Sequence, residues 1–213
     1  GGMGTGKTTM IATMAKYFRE EELPILVEVV RECPMEHPNL RILVARPPNI
    51  EGKGEVNLSR LIRTALTMKA SRVLVSEAKG GEFFDVLQAC NIGHDGTMLT
   101  FHANSAVDAV YKRMPSMLMM SPEIPEGYDP SILIGNSLHF ICMMEQVKGQ
   151  RRFREITELD YDYETGKAVI KPVFKREGDR LVATGHVPHE KLEDMTRHNV
   201  NVSPEIFKNK VFF

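Results

Sequence analysis

The sequence predicts an α/β fold with a mostly parallel sheet, followed by an antiparallel β extension. Three observations carry this. A glycine-rich loop runs straight into a helical pattern at Lys7. Short apolar runs then alternate with amphipathic helical stretches as far as residue 120. From Leu138 onward, strand-like runs follow one another across tight-turn sequences.

Met10, Ile11, Met14, Ala15 and Phe18 recur at helical spacing, predicting a helix over 7–22 that stops before Pro24. Ile25–Val30 and Leu40–Ala45 are short apolar runs of strand type. Residues 47–54, with two prolines and two glycines, must be a loop. A helix is predicted over 57–69, a strand over 73–75, a helix over 82–91, a turn at Gly93–Gly96 and a strand over 97–101. Ser105 is a plausible cap for a helix running to Met120. Strands are then expected at 138–147, 153–161, 167–174 and 180–183, joined by Lys148-Gly149-Gln150, Thr165-Gly166 and Gly178-Asp179. Short helices near Glu190 and Pro204 close the pattern. The expected domains are an α/β core over 1–137 and a β-rich extension over 138–213. A glycine-rich loop of this kind normally follows a buried strand, so the reading places a first core strand upstream of Gly1.

Composition bounds the function. With 27 basic against 28 acidic residues the net charge is -1, which gives no global attraction to nucleic acid or anionic lipid. The three cysteines are far apart and read as reduced thiols of a cytosolic protein. No apolar run approaches the ~18 residues that would span a bilayer.

Residues Gly1-Gly2-Met3-Gly4-Thr5-Gly6-Lys7-Thr8 fit the P-loop pattern G-x-x-x-x-G-K-[ST]. The glycines let main-chain N–H groups approach phosphate oxygens. Lys7 offers its charge to the β- and γ-phosphates, and Thr8 its hydroxyl to Mg²⁺. The helix that starts here points its positive end at the anion. Gly2, Met3, Gly4, Thr5, Gly6, Lys7, Thr8 and Thr9 are therefore the expected binders of ATP.

Three further segments extend the pattern: 46–55 (RPPNIEGKGE), 72–82 (RVLVSEAKGGE), and 93–96 (GHDG) with 102–104 (HAN). In order and spacing they resemble the arginine loop, Walker B segment and histidine box of the type II/IV secretion ATPases, in particular the CpaF-like branch that drives pilus assembly. The resemblance covers most of residues 1–160. It implies a RecA-like ATPase core, a homo-oligomer expected to be a hexamer, and inner-membrane platform proteins as partners. It also implies a cytoplasmic location at the inner face of that membrane, and no direct nucleic-acid binding.

It further implies roles for single residues. Glu77 matches the Walker B glutamate, holding Mg²⁺ through water or facing the attacking water. Glu28 and Glu32 match the Glu-Asp-x-x-Glu segment, with Val29 where Asp is usual. Glu28 could act as base or water positioner; the plain alternative is a solvated glutamate on a half-exposed strand. His102 and His94 match the histidine box, His94 with the alternative of merely stabilising its turn. Arg46 and Arg63 match arginines that reach nucleotide, in some members across a subunit boundary; surface arginines are the alternative. Ser76 stands for the usual Gly and Lys79 for Arg. These departures leave open a nucleotide-controlled assembly switch with little hydrolysis. The methionine-rich stretch 114–120 and the basic cluster Lys148, Arg151, Arg152 and Arg154 read as core filler and a solvated hairpin.

Overall fold

The computed structural model describes residues 1–94, 96–208 and 211–212. The chain divides into two compact units, Gly6–His102 with Tyr111–Pro130, and Gly1–Thr5 with Ala103–Val110 and Ser131–Phe213.

The first unit is built on four parallel strands: β1 (Pro24–Glu28), β2 (Arg41–Val44), β3 (Arg72–Val75) and β4 (Met98–Leu99), in the order β2-β1-β3-β4. Side chains alternate across a strand, and here the alternation assigns the two layers. Ile25, Val27, Val73 and Val75 point to one face, where they pack with Leu58, Leu61, Ile62 and Ala65 of α2 (Leu58–Thr67) and Val86 of α3 (Glu82–Asn91). Leu26 and Leu74 point to the other face, against Ile11, Ala12 and Ala15 of α1 (Lys7–Ala15). Helix α2 is capped by Asn57, whose side chain accepts from the Arg60 N–H.

Helix α1 stops at Ala15, about two turns before the sequence pattern suggests. The chain turns so that Glu22 is buried and accepts hydrogen bonds from Arg19 and Arg72. The single helix expected after Ser105 is instead α4 (Ala106–Asp108), a π-helical turn over Ala109–Arg113, and α5 (Met114–Leu118). Pro115 explains the break. It has no N–H to give to the residue four before it, and the wider turn absorbs the lost bond.

The second unit carries an antiparallel sheet, β5 (Phe140–Val147), β6 (Gln150–Asp162), β7 (Lys167–Glu177), β8 (Arg180–Ala183) and β9 (Val211–Phe212), paired in chain order. Its hairpin turns need left-handed backbone at Lys148, Gly149, Gly166 and Gly178. Helix α6 (Ser131–Ser137) is an addition to the expected elements. It rests on β6 at Gly135, where an added Cβ would lie 2.8 Å from the Asp160 carbonyl. The later elements are α7 (His189–Arg197) and a 3₁₀ turn at Pro204–Phe207. Among the described residues no helix is long and apolar enough to cross a membrane.

Candidate active site

Parallel α/β sheets present their ligand-binding chemistry beyond the carboxyl ends of the strands. In the first unit those ends carry Glu28 (β1), Glu77 (two residues past β3) and His102 (three past β4). Helix α1 begins at Lys7, behind Gly6 at φ 92° with no side chain capping it. Its first turn holds no acidic residue, and the positive end of the helix favours an anion. Burial pulls the Lys7 ammonium below the usual lysine range, and the Glu77 charge partly offsets this. In the second unit, Gly4 is left-handed at φ 70° and Thr5 donates its hydroxyl to the Gly2 carbonyl at 2.9 Å. A Cβ on Gly1 would sit 2.4 Å from the Met144 carbonyl, so only glycine fits there.

Both oxygens of Glu77 are engaged. Oε1 meets His102 Nε2 at 2.8 Å and Oε2 meets Lys79 Nζ at 2.9 Å. Burial pushes this carboxyl up, but Lys79 and His102 together outweigh it and hold Glu77 below the usual glutamate range. The loop beneath is fixed from both sides. Ala78 N–H donates to the Thr100 carbonyl at 2.8 Å, and the Thr100 hydroxyl donates to the Ser76 carbonyl.

Glu28 is fully buried, which overturns the alternative of a solvated glutamate. Its parity with Leu26 puts it on the α1 face of the sheet. Oε1 accepts from Cys33 N–H at 2.9 Å and Glu32 N–H at 3.3 Å, while Oε2 is buried without a hydrogen-bond partner. Buried polar atoms are nearly always paired, so an orphaned carboxyl oxygen points to a missing water or ligand. Cys33 lies between this carboxyl and the P-loop helix, its Sγ 3.8 Å from the Thr8 carbonyl. Burial, with Glu28 adding to it, pushes the Cys33 thiol up.

The remaining expected residues fall elsewhere. His94 Nδ1 donates to the Ala70 carbonyl, 3.0 Å away, beside the N-terminal end of β3 and so at the opposite end of the strands from His102. Asp95 of the same motif lies outside the described residues. Arg46 is exposed. Its main chain pairs with Val56 and its Nε donates to the Gly54 carbonyl at 2.7 Å, closing the loop on itself. Arg63 binds Asp85 at 2.6 Å and also Glu123, on a groove of about 660 Å³ lined by α2, the start of α3 and residues 120–123. Lys7, Glu77 and His102 do not line that groove. Sequence reasoning missed two contacts, the Lys79–Glu77 pair and the bond from Arg113 Nη2 to the Lys79 carbonyl at 3.1 Å. The i, i+2 spacing of two charges in a loop was the only trace of the first.

A glycine-capped helix opening with Lys-Thr, under strand ends that carry a buried glutamate and a glutamate–histidine pair, defines a P-loop nucleotide-binding fold. The profile of the type II/IV secretion system protein family matches residues 1–182, and the chain belongs to that family. It is 45% identical over 105 residues to a protein of Mycobacterium tuberculosis named as a candidate conjugal transfer protein, a match covering 49% of this chain and 30% of that one. It is 30% identical over 164 residues to the type IV secretion system protein PtlH of Bordetella pertussis, covering 76% of this chain and 48% of PtlH. Among solved structures, the VirB11 ATPase of Brucella suis in complex with sulphate superposes with a TM-score of 0.62 at 24% identity, covering 74% of this chain and 46% of that one. The chain thus spans less than half the length of these relatives.

Proposed function

We propose that this chain is the nucleotide-binding and hydrolysing core of an ATP-driven motor subunit for secretion, conjugation or pilus assembly, on the CpaF-like branch. The observation that carries the reading is the strand-end constellation. The orphaned buried Glu28 oxygen, at the end of β1, and the His102-bound Glu77, two residues past β3, lie in the same unit as the Gly6–Lys7–Thr8 helix start. By the sequence motif, Gly2, Met3, Gly4, Thr5, Gly6 and Thr9 are the proposed phosphate binders, and Lys7 would neutralise the charge. Thr8 and Glu77 would hold Mg²⁺, Glu77 through water. When bound, the ion neutralises charge on the β- and γ-phosphates. Glu28 orients or deprotonates the attacking water from its buried position. His102, tied to Glu77, senses the γ-phosphate.

Arg46, presented to solvent on its closed loop, is the better placed arginine to reach a neighbouring copy's nucleotide. Arg63 could do so only after leaving Asp85 and Glu123. This division suits a homo-oligomer, proposed as a hexamer. It would work with inner-membrane platform proteins at the cytoplasmic face and make no direct nucleic-acid contact.

The test is Mg·ATP hydrolysis as a function of protein concentration, beside Lys7→Ala and Glu77→Gln. Turnover that rises steeply with concentration and vanishes in both variants supports the motor. A second reading, an assembly switch that binds ATP with little hydrolysis, is favoured by exposed, apolar Val29 beside Glu28. A single-turnover assay in which bound ATP stays intact for many minutes would select it.

A further inference from the structure

The Glu77 carboxyl is the acidic group expected to face a divalent cation, yet an ammonium already stands on it. Lys79 Nζ lies 2.9 Å from Glu77 Oε2, and the Lys79 side chain remains 66% exposed, free to swing into water. Its main chain has no such freedom. Lys79 N–H and Gly80 N–H donate to Glu82 Oε1 at 2.6 and 2.9 Å, and Arg113 Nη2 donates to the Lys79 carbonyl at 3.1 Å. Two residues on, Gly81 is wedged against the Met120 carbonyl, 2.9 Å from where a Cβ would stand. The loop is rigid and its cation is mobile.

We infer that Lys79 is an exchangeable counter-ion of Glu77, a positioning residue that keeps the carboxylate charge-balanced without metal and must withdraw when a hydrated divalent cation arrives. A second cation brought to Glu77 meets the ammonium at short range, and like charges repel. Only one of them can sit on Oε2. Lys79 is suited to leave because its four-carbon stem is flexible and its head strongly hydrated. His102 stays on Oε1 throughout and keeps the carboxylate oriented. Lys79 therefore sets how much free Mg²⁺ the site needs, without touching the nucleotide.

The inference rests on the nucleotide-site reading above, and its test separates the two. Binding of a fluorescent ATP analogue to the full chain is titrated with Mg²⁺ at low ionic strength, for the unaltered chain, Lys79→Gln and Lys79→Arg. Lys79→Gln is expected to lower the half-saturating Mg²⁺ roughly fivefold, the size an exposed ion pair retains after solvent screening. Lys79→Arg keeps the charge and should restore the original requirement. The difference should shrink at high salt. Because Lys79 is largely exposed, melting temperatures should agree among the three. An unchanged or higher Mg²⁺ requirement in Lys79→Gln overturns the counter-ion role while leaving the nucleotide site standing. So does an equal shift in Lys79→Arg. Absence of any Mg²⁺-dependent nucleotide binding in the unaltered chain overturns the nucleotide-site reading and the counter-ion role together.

Discussion

Replacing Glu28 in two ways separates chemistry from architecture. Its Oε1 accepts from the Cys33 and Glu32 N–H groups, and its Oε2 has no partner despite complete burial. Glu28→Ala deletes the acceptor for both N–H groups and leaves a cavity. One orphaned buried donor and a second, partly solvated one give a loss of about 3 kcal/mol, or roughly 6–12 °C in melting temperature for a chain of this size. Glu28→Gln keeps an oxygen at the Oε1 position with the same shape. It should stay within about 1 kcal/mol of the parent, since the bonded oxygen survives and only the unpartnered one changes. Turnover should behave oppositely. An amide can neither accept a proton nor orient water as a base does, so Glu28→Gln should lose about 10²–10⁴ in rate. The assay is single-turnover phosphate release paired with thermal unfolding of both variants. The reasoning is refuted if Glu28→Gln hydrolyses ATP within a few-fold of the parent. It is equally refuted if Glu28→Gln melts as low as Glu28→Ala, for then the carboxyl is a structural strut.

His102→Gln removes a bond that helps hold Glu77 below the usual range, so the Glu77 pKa rises and the acid limb of the pH–turnover profile should move to higher pH, with nucleotide affinity retained. Glu22 is held low chiefly by its hydrogen bond from Arg72, against the opposing effect of burial. Its folded pKa lies below the unfolded value near ~4.3, so its contribution is present above that pH and is lost as pH falls through the lower folded value. Glu22→Gln should therefore destabilise the fold at pH 7, by about 2 kcal/mol for charge-assisted hydrogen bonds that solvent partly screens, and by almost nothing in strong acid, checked by urea unfolding across pH. Val29→Asp adds a carboxylate to an exposed turn, so stability should move by no more than about 0.5 kcal/mol. A tenfold gain in turnover from that change would select the switch reading.

Much of the fold was legible because the signals were local and redundant. Short continuous apolar runs marked β1 and β3, Asn57 and the 3.6-residue stripe Leu58–Leu61–Ile62–Ala65 marked α2, and glycine dipeptides marked the hairpins. The errors share a physical cause. Helix α1 ends early because Glu22 is buried and finds partners in Arg19 and Arg72, residues the helical stripe says nothing about. The break before α5 was in plain view as Pro115, but its remedy, a π turn, is decided by backbone hydrogen bonding. Helix α6 is too short for periodicity to register. In the site, the places of Glu77 and His102 just past strand ends followed from the apolar runs that precede them. What Lys79, Arg63 and Arg113 touch did not, because loop side chains meet across sequence gaps that no pattern encodes.

The same alternation settles what the Val29 departure can mean. Strand β1 ends at Glu28, which points inward under the P-loop helix, and Val29 begins the turn, 51% exposed. A missing aspartate at 29 therefore removes charge from solvent, where a carboxylate is screened and weakly coupled to bound phosphate. It leaves the buried, unpartnered oxygen of Glu28 in place, where low dielectric makes one acceptor worth far more. On the proposed reading, Glu28 is the group that would activate water, and this chain retains it. That asymmetry favours hydrolysis over passive switching, and it assigns any slow turnover to the competition between Lys79 and metal at Glu77 before it assigns it to Val29.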